Sequence, residues 1–331
     1  MLVFLLVAYS HILHFFTVLA RKLLIELPTW LGDSVMASTA IKFISFNFPS
    51  AELHFFGTKV STEYYKYFPN GKIILIDKRK NLLKFTGKLL ELEKYDMFFS
   101  FRSSIRSKIT KMAISADKKF QFAKSNINDI HQVERYINFI ENSLNTSSNL
   151  FDKHLNYFLP NSFPRSSKKL TIGINPGANY GSSKMWEPEK FAEIIYHFDS
   201  HGVIIFGSDN DNELAEKICD LASKKGAKNF INLCGKTSVL DLTVHIKNLD
   251  VFITGDSGPM HIAAAVQTPT VSIFGSTNEK ETSQWMNDRN ILLKKDINCR
   301  PCMKRTCPLK HRDCMKKISS GEVIRAVEAL F

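Results

Sequence analysis

From Lys22 onward the chain alternates short apolar runs with amphipathic stretches. KLLIEL (Lys22–Leu27) reads as a buried strand, followed by a turn and a helix over Val35–Phe46. ELHFFG (Glu52–Gly57), KIILID (Lys72–Asp77) and YDMFFSF (Tyr95–Phe101) are also strand-like. Short runs of this kind alternating with helical patterns predict a parallel sheet with helices on both faces. LPNSFPRSSKK, residues 159–169, breaks the pattern with two prolines, serines and charge, and residues 161–169 read as a linker. A second series follows. LTIGINPG (Leu170–Gly177) is a strand and turn, with a helix after it around Pro188–Phe198. VIIFGS, NFINLCG, VFITGD and TVSIFGS read as strands, separated by helices over Asn212–Lys224, Val239–Lys247 and His261–Val266. The pattern is α/β, with two doubly wound halves at 21–160 and 170–331. Such halves bind ligands at the carboxyl ends of their strands, in the cleft between them.

Ahead of this pattern stands MLVFLLVAYSHILHFFTVLA, residues 1–20, which holds no Lys, Arg, Asp or Glu. Its length just suffices to cross a bilayer as a helix. Arg21 and Lys22 after it would leave the rest of the chain in the cytoplasm. No basic stretch precedes it, so a cleaved secretory signal fits poorly. KLLIEL follows without a linker. The segment therefore reads either as a membrane anchor, spanning or peripheral, or as the product of an over-extended start assignment.

Three features of composition narrow the picture. Hydrophobic residues make up 44% of the 331 and charged residues 23%, which excludes disordered and coiled-coil classes. Lys and Arg number 44 against 32 acids, a net charge of +12 that points to an anionic partner. Basic residues gather within 72–124, among them Lys78, Arg79, Lys80, Arg102, Arg106, Lys108 and Lys111, with Phe98, Phe99 and Phe101 nearby. Those phenylalanines sit in a strand pattern and read as core, and the charge reads as a solvated helix face. With no RRM or KH signature, nucleic acid is not expected as a partner. Of six cysteines, Cys219 and Cys234 read as small buried hydrophobes. Cys299, Cys302, Cys307 and Cys314 form C-x2-C-x4-C-x6-C with His311 inside it. Four thiolates, or three with His311, suit structural zinc or an iron–sulfur cluster; reduced thiols in a short loop are the other reading.

Three segments carry candidate chemistry. LPTWLGDSVMAS sets Gly32-Asp33-Ser34 between strand and helix. Asp33 or Ser34 there is either a helix cap or, for Asp33, a carboxylate at the cleft mouth placed to take a proton from a substrate hydroxyl. NPGANYGSSKMW contributes Gly177 and Gly181, which let the backbone approach a ligand, and Lys184, a point charge for phosphate. It lacks the G-x-x-x-x-G-K-[ST] order of a phosphate loop. In ITGDSGPMHIAAAV a strand ends at Asp256 and a helix begins around Ser257, Gly258 and Pro259. The free N–H groups of such a first turn make a diphosphate site. Asp256 and His261, taken singly, read as cap and core residues.

Together, in this order and spacing, the three segments resemble the ADP-heptose:lipopolysaccharide heptosyltransferases, glycosyltransferase family nine, over nearly the whole chain from about Arg21. The tail CRPCMKRTCPLKHRDCMKKI, with its Cys-rich part at 299–314, is similar to the ending typical of heptosyltransferase II rather than I. The resemblance implies a GT-B architecture of two Rossmann-like domains facing a central cleft. The acceptor would lie on the N-terminal domain and the nucleotide sugar on the C-terminal one. It implies inverting transfer of L-glycero-D-manno-heptose from ADP-heptose to the first heptose of heptosyl-Kdo-lipid A. In that reaction Asp33 would be the general base. Lys184, with the N–H groups near Ser257 and Gly258, would stabilise the departing ADP. Asp256 and His261 would orient heptose or phosphates, with Gly177, Thr237 and Ser238 lining the nucleotide-sugar pocket. No catalytic metal is implied. The expected setting is the cytoplasmic face of the inner membrane, with its anionic surface as a further partner. The alternatives are heptosyltransferase I or another family member, and a non-catalytic nucleotide- or glycolipid-binding module of the same fold.

Overall fold

β1 (Lys22–Glu26) is the centre of the first half: Leu23, Leu24 and Ile25 are fully buried, and pleating sends Leu23 and Ile25 to one layer and Leu24 to the other. In this computed structural model residues 21–74, 82–124, 129–160, 170–178 and 180–331 are described. The apolar segment 1–20, Lys78, Arg79 and Lys80, and the linker 161–169 lie outside them.

β1 pairs in parallel with β2 (Glu52–Phe56) on one side and β4 (Tyr95–Ser100) on the other. With β3 (Gly71–Ile73) and β5 (Ala116–Gln121) the order is β3-β2-β1-β4-β5. The strand order reverses between β1 and β4, so the loops after both open at one edge. The helices are α1 (Leu31–Met36), α2 (Ser38–Asn47), α3 (Lys59–Tyr64), α4 (Leu82–Leu90), α5 (Ile105–Ala113) and α6 (Gln132–Leu144). The helix expected over Val35–Phe46 begins four residues earlier and breaks at Ala37, which closes α1 and caps α2. Phe98, Phe99 and Phe101 are buried in the core.

The second half holds β6 (Thr171–Asn175), β7 (Gly202–Ile205), β8 (Phe230–Asn232), β9 (Val251–Gly255), β10 (Thr270–Phe274) and β11 (Asn290–Lys294), ordered β11-β10-β9-β6-β7-β8 and parallel throughout. Its helices are α7 (Pro188–His197), α8 (Asn212–Lys224), α9 (Val239–Lys247), α10 (Gly258–Ala265), α11 (Glu279–Thr282), α12 (Asp313–Lys316) and α13 (Ser320–Glu328). Both sheets are doubly wound.

One apolar cluster runs across the seam, joining Val35, Ala37 and Ile41 to Val239, Ile246 and Ile262–Ala265. Polar ties flank it: Val239 N–H donates to Glu63 Oε1 (3.1 Å), and Lys280 Nζ meets Asp129 Oδ2 at 2.9 Å. Trp285 Nε1 donates to the Lys153 carbonyl at 2.8 Å. Among the described residues no helix is long and apolar enough to cross a membrane.

Candidate active site

The first turns of α1 and α10 abut. A Cβ at Gly32 would lie 2.9 Å from His261 Cδ2, and one at Gly258 would lie 3.3 Å from the Gly32 nitrogen. Glycine at both positions is what lets the two backbones meet.

Asp33 sits in the first turn of α1, but it is not a cap. Trp30 occupies the cap position and no side chain caps the helix. Ser34 Oγ donates to the Pro28 carbonyl at 3.3 Å instead. The Asp33 carboxyl has no hydrogen-bond or ion-pair partner among the described residues. Burial first, and then the charge of Asp256, push its pKa up to about 6, with Lys184 pulling the other way. The cap reading left open by the sequence does not apply, and a carboxylate titrating near neutrality faces the cleft.

Across the seam Lys184 Nζ donates to Asp256 Oδ2 at 2.5 Å and to its carbonyl at 3.2 Å. The same carboxylate oxygen accepts from Thr277 Oγ1 (2.6 Å) and Thr282 Oγ1 (3.4 Å). Asp256 is thus held rigidly at the head of α10 and fixes the ammonium there. Ser257, the residue before α10, makes no side-chain cap. Its hydroxyl is drawn back to Thr254 Oγ1 (2.9 Å) and Asn175 Nδ2 (3.3 Å). Pro259 has no N–H and Met260 N–H donates to the Ser257 carbonyl (3.1 Å), so the amides of Ser257 and Gly258 are the ones left for an outside acceptor.

Two histidines complete the cluster. His261 is buried, burial lowers its pKa to about 4, and its Nδ1 has no hydrogen-bond partner among the described residues. His131, at the cap of α6, accepts the Val133 N–H at Nδ1 (3.2 Å), so its Nε2 donates to the Ser283 carbonyl at 3.0 Å. Its ring packs on Trp285 with centroids 4.6 Å apart, and burial lowers its pKa to about 4. Both rings are neutral at pH 7. His131 was not singled out from the sequence; an N-cap ahead of an amphipathic helix is its only local signal, and its bond across the cleft shows only in the fold.

The two glycines of the lysine loop have reasons other than ligand approach. A Cβ at Gly177 would strike the Asp211 carboxylate at 2.3 Å, and one at Gly181 (φ +152°) the Arg305 carbonyl at 2.3 Å. The Cys-rich tail lies against this loop. Ser183 N–H donates to the Arg305 carbonyl (3.1 Å), Ser183 Oγ to that of Lys304 (2.5 Å) and Tyr180 Oη to that of Met303 (2.8 Å). The Tyr180 ring in turn sits 4.5 Å from Lys184 Nζ. Of the two remaining predicted nucleotide residues, Ser238 is engaged as the cap of α9, bonded to Asp241 at 2.6 Å, and Thr237 precedes it, half-buried.

The tail cysteines share one cavity of about 20 Å³ with His311, but no three of these donors converge as a ligand set among the described residues. His311 Nδ1 accepts the Asp313 N–H (2.9 Å), which leaves the proton of the neutral ring on Nε2, 4.0 Å from Cys299 Sγ. Burial raises the Cys314 thiol, with the other three thiols adding to the rise. As placed, the tail donors make no group that could hold zinc or an iron–sulfur cluster among the described residues. Elemental analysis of the purified protein is expected to find neither Zn nor Fe in stoichiometric amount; one equivalent of either overturns this.

The profile of glycosyltransferase family 9 (heptosyltransferase) matches residues 92–312. Lipooligosaccharide heptosyltransferase 2 of Campylobacter jejuni subsp. jejuni serotype O:2 is 40% identical over 314 residues, covering 93% of this chain and 98% of that protein. The structure of E. coli ADP-heptose LPS heptosyltransferase II superposes with a TM-score of 0.77 at 20% identity, covering 94% and 98% of the two chains. E. coli heptosyltransferase WaaC, solved with ADP, gives 0.71 at 13% identity over 94% and 100%. These structural likenesses show the fold, a GT-B pair of Rossmann-like halves, and the profile with the Campylobacter relative shows more: the chain belongs to glycosyltransferase family 9, the heptosyltransferases.

Proposed function

We propose that the chain transfers L-glycero-D-manno-heptose from ADP-heptose to the first heptose of heptosyl-Kdo-lipid A, with inversion at the anomeric carbon. The observation that carries this reading is an uncapped α10 with Lys184 fixed at its head, facing an unpartnered carboxylate with a pKa near 6. In the reaction the acceptor hydroxyl oxygen attacks the anomeric carbon while Asp33 takes its proton. The bond from that carbon to the β-phosphate oxygen breaks, and the electron pair leaves with ADP. Lys184 and the amides near Ser257 and Gly258 meet the charge that develops there. Neutral His261 and Asp256 orient the heptose or phosphates, Asp256 also fixes Lys184, and Gly177 and Thr237 with the turn at Ser238 line the nucleotide. Residues 21–160 carry the acceptor and 170–331 the nucleotide sugar. The protein works at the cytoplasmic face of the inner membrane, with no metal in the chemical step.

The sequence similarity to the Campylobacter heptosyltransferase 2 supports this acceptor. Purified protein incubated with ADP-heptose is expected to modify heptosyl-Kdo-lipid A and not Kdo-lipid A. Transfer to Kdo-lipid A alone would make it a heptosyltransferase I. ADP-heptose binding without transfer to either would make it a non-catalytic module.

A further inference from the structure

Helix α5 presents its residues the wrong way round for a helix that only covers a sheet. Its inward positions are Ser107 and Thr110, both fully buried, with Ser107 Oγ bonded to Ser100 Oγ (2.7 Å) and Glu26 Oε2 (2.5 Å). Its outward stripe carries Ile105, 78% exposed, and Met112, 80% exposed. Seven residues apart, these two lie within about 20° of one another around the helix and roughly 10 Å apart along it. Leu90, at the end of α4, which packs on α5, is 69% exposed.

Lysines border the stripe. Lys108 and Lys111 lie along α5, and with Gln121 and Lys124 they line an open groove of about 450 Å³. Lys119 Nζ reaches the Met112 carbonyl at 3.5 Å. Residues 102–124 hold seven Lys and Arg against one acid, Asp117, whose carboxylate pairs with Lys94 at 2.5 Å. Their surplus of six is half of the chain's net +12. Among the described residues of this face the exposed large side chains are aliphatic, and Phe98, Phe99 and Phe101 are buried, so these offer no stacking platform for bases. A second copy laid on the same face about a two-fold axis would set lysine against lysine. Long aliphatic side chains rising from a cationic helix face match an anionic bilayer surface.

We propose that α5, with Lys119 and Lys124 beside it, docks the protein on anionic phospholipid, Ile105 and Met112 entering the boundary between headgroups and acyl chains. α5 starts at the carboxyl end of β4, the sheet edge from which the Asp33 loop also leaves β1, so docking sets the cleft mouth beside the membrane. Only that consequence rests on the proposed lipid-linked acceptor; the docking itself does not.

The test is co-sedimentation of the full chain with acceptor-free vesicles of phosphatidylcholine alone or mixed with phosphatidylglycerol. The wild type is expected to bind the mixed vesicles, less as salt is raised. Ile105→Ser/Met112→Ser should lower the partition about tenfold or more, and each Lys→Gln change at Lys108 and Lys111 about fivefold. All the proteins share residues 1–20, so differences between them belong to α5. Ile105→Ser/Met112→Ser should keep its kcat on detergent-dispersed acceptor while its KM for vesicle-borne acceptor rises. Equal partition of wild type and this variant, or equal binding to neutral vesicles, overturns the proposal. So does a wild-type dimer that the same substitutions turn into a monomer, which would give the stripe to a second copy. Vesicle binding without transfer on dispersed acceptor would defeat the enzymatic reading and leave the docking standing.

Discussion

Asp33→Asn is expected to lower kcat for heptose transfer by about 10²–10⁴-fold, the usual worth of a general base, while ADP still binds. The amide keeps the size of the side chain and removes its proton-accepting capacity. The same substitution should make the protein more stable. Burial and the nearby Asp256 hold the folded-state pKa of Asp33 at about 6, against an ordinary value of 3.8. The folded chain therefore keeps this proton over a range where the unfolded chain has lost it. That contribution is neutral below the unfolded value, turns destabilising as pH rises toward 6, and stays fully destabilising above. At most it amounts to about 3 kcal/mol. Asp33→Asn should thus melt at a higher temperature than the wild type at pH 8, and the gap should close toward pH 4. Wild-type kcat/KM should rise through about pH 6 and level off as the base ionises. Wild-type turnover in the variant would remove Asp33 from the chemistry. A lower melting temperature at pH 8 would show that the carboxylate is not under the strain of burial.

The second large effect is expected at Lys184. Lys184→Ala removes the charge proposed to meet the departing diphosphate, and kcat should fall by about 10²–10³-fold. It also strands Asp256, whose carboxylate is almost wholly buried beside the ammonium. Removing one member of such a pair costs about 3–5 kcal/mol, and the lower end applies here because Thr277 and Thr282 still donate to Asp256. Lys184→Ala/Asp256→Ala should recover part of the stability and none of the activity, which separates the two roles in one experiment. A lower melting temperature with full turnover would reduce Lys184 to a structural partner. Because the lysine charge holds the Asp33 pKa down, the rising limb of residual activity should also move to higher pH.

The two-sheet architecture was legible because strands buried on both faces write uninterrupted apolar runs, as in LLI of β1 and VFI of β9. The helices Asn212–Lys224 and Val239–Lys247 stand where their periodicity put them. α5 left no such trace: its inner face is Ser107 and Thr110, so the apolar positions that mark a helix point outward. The start of α1 was also hidden. Trp30 offers no cap signal, and Asp33 falls inside the helix rather than before it. Asp33, Lys184, Asp256 and His261 come from three segments far apart in sequence, and topology brings them to one seam. What cysteine spacing suggested about the tail proved the less informative part of it. Backbone carbonyls of Met303, Lys304 and Arg305 hold the lysine loop, and carbonyls leave no mark in a sequence.

Gly32 and Gly258 meet with no side chain between them, at the positive ends of two helices. Bare, those ends repel one another weakly; with a nucleotide diphosphate over them they share a single counter-charge. With the diphosphate seated there as proposed, occupancy of the nucleotide site and the angle between the halves would be thermodynamically linked. Whatever tightens the contact between the two glycines would then tighten nucleotide binding, and whatever spreads the halves apart would favour release of ADP.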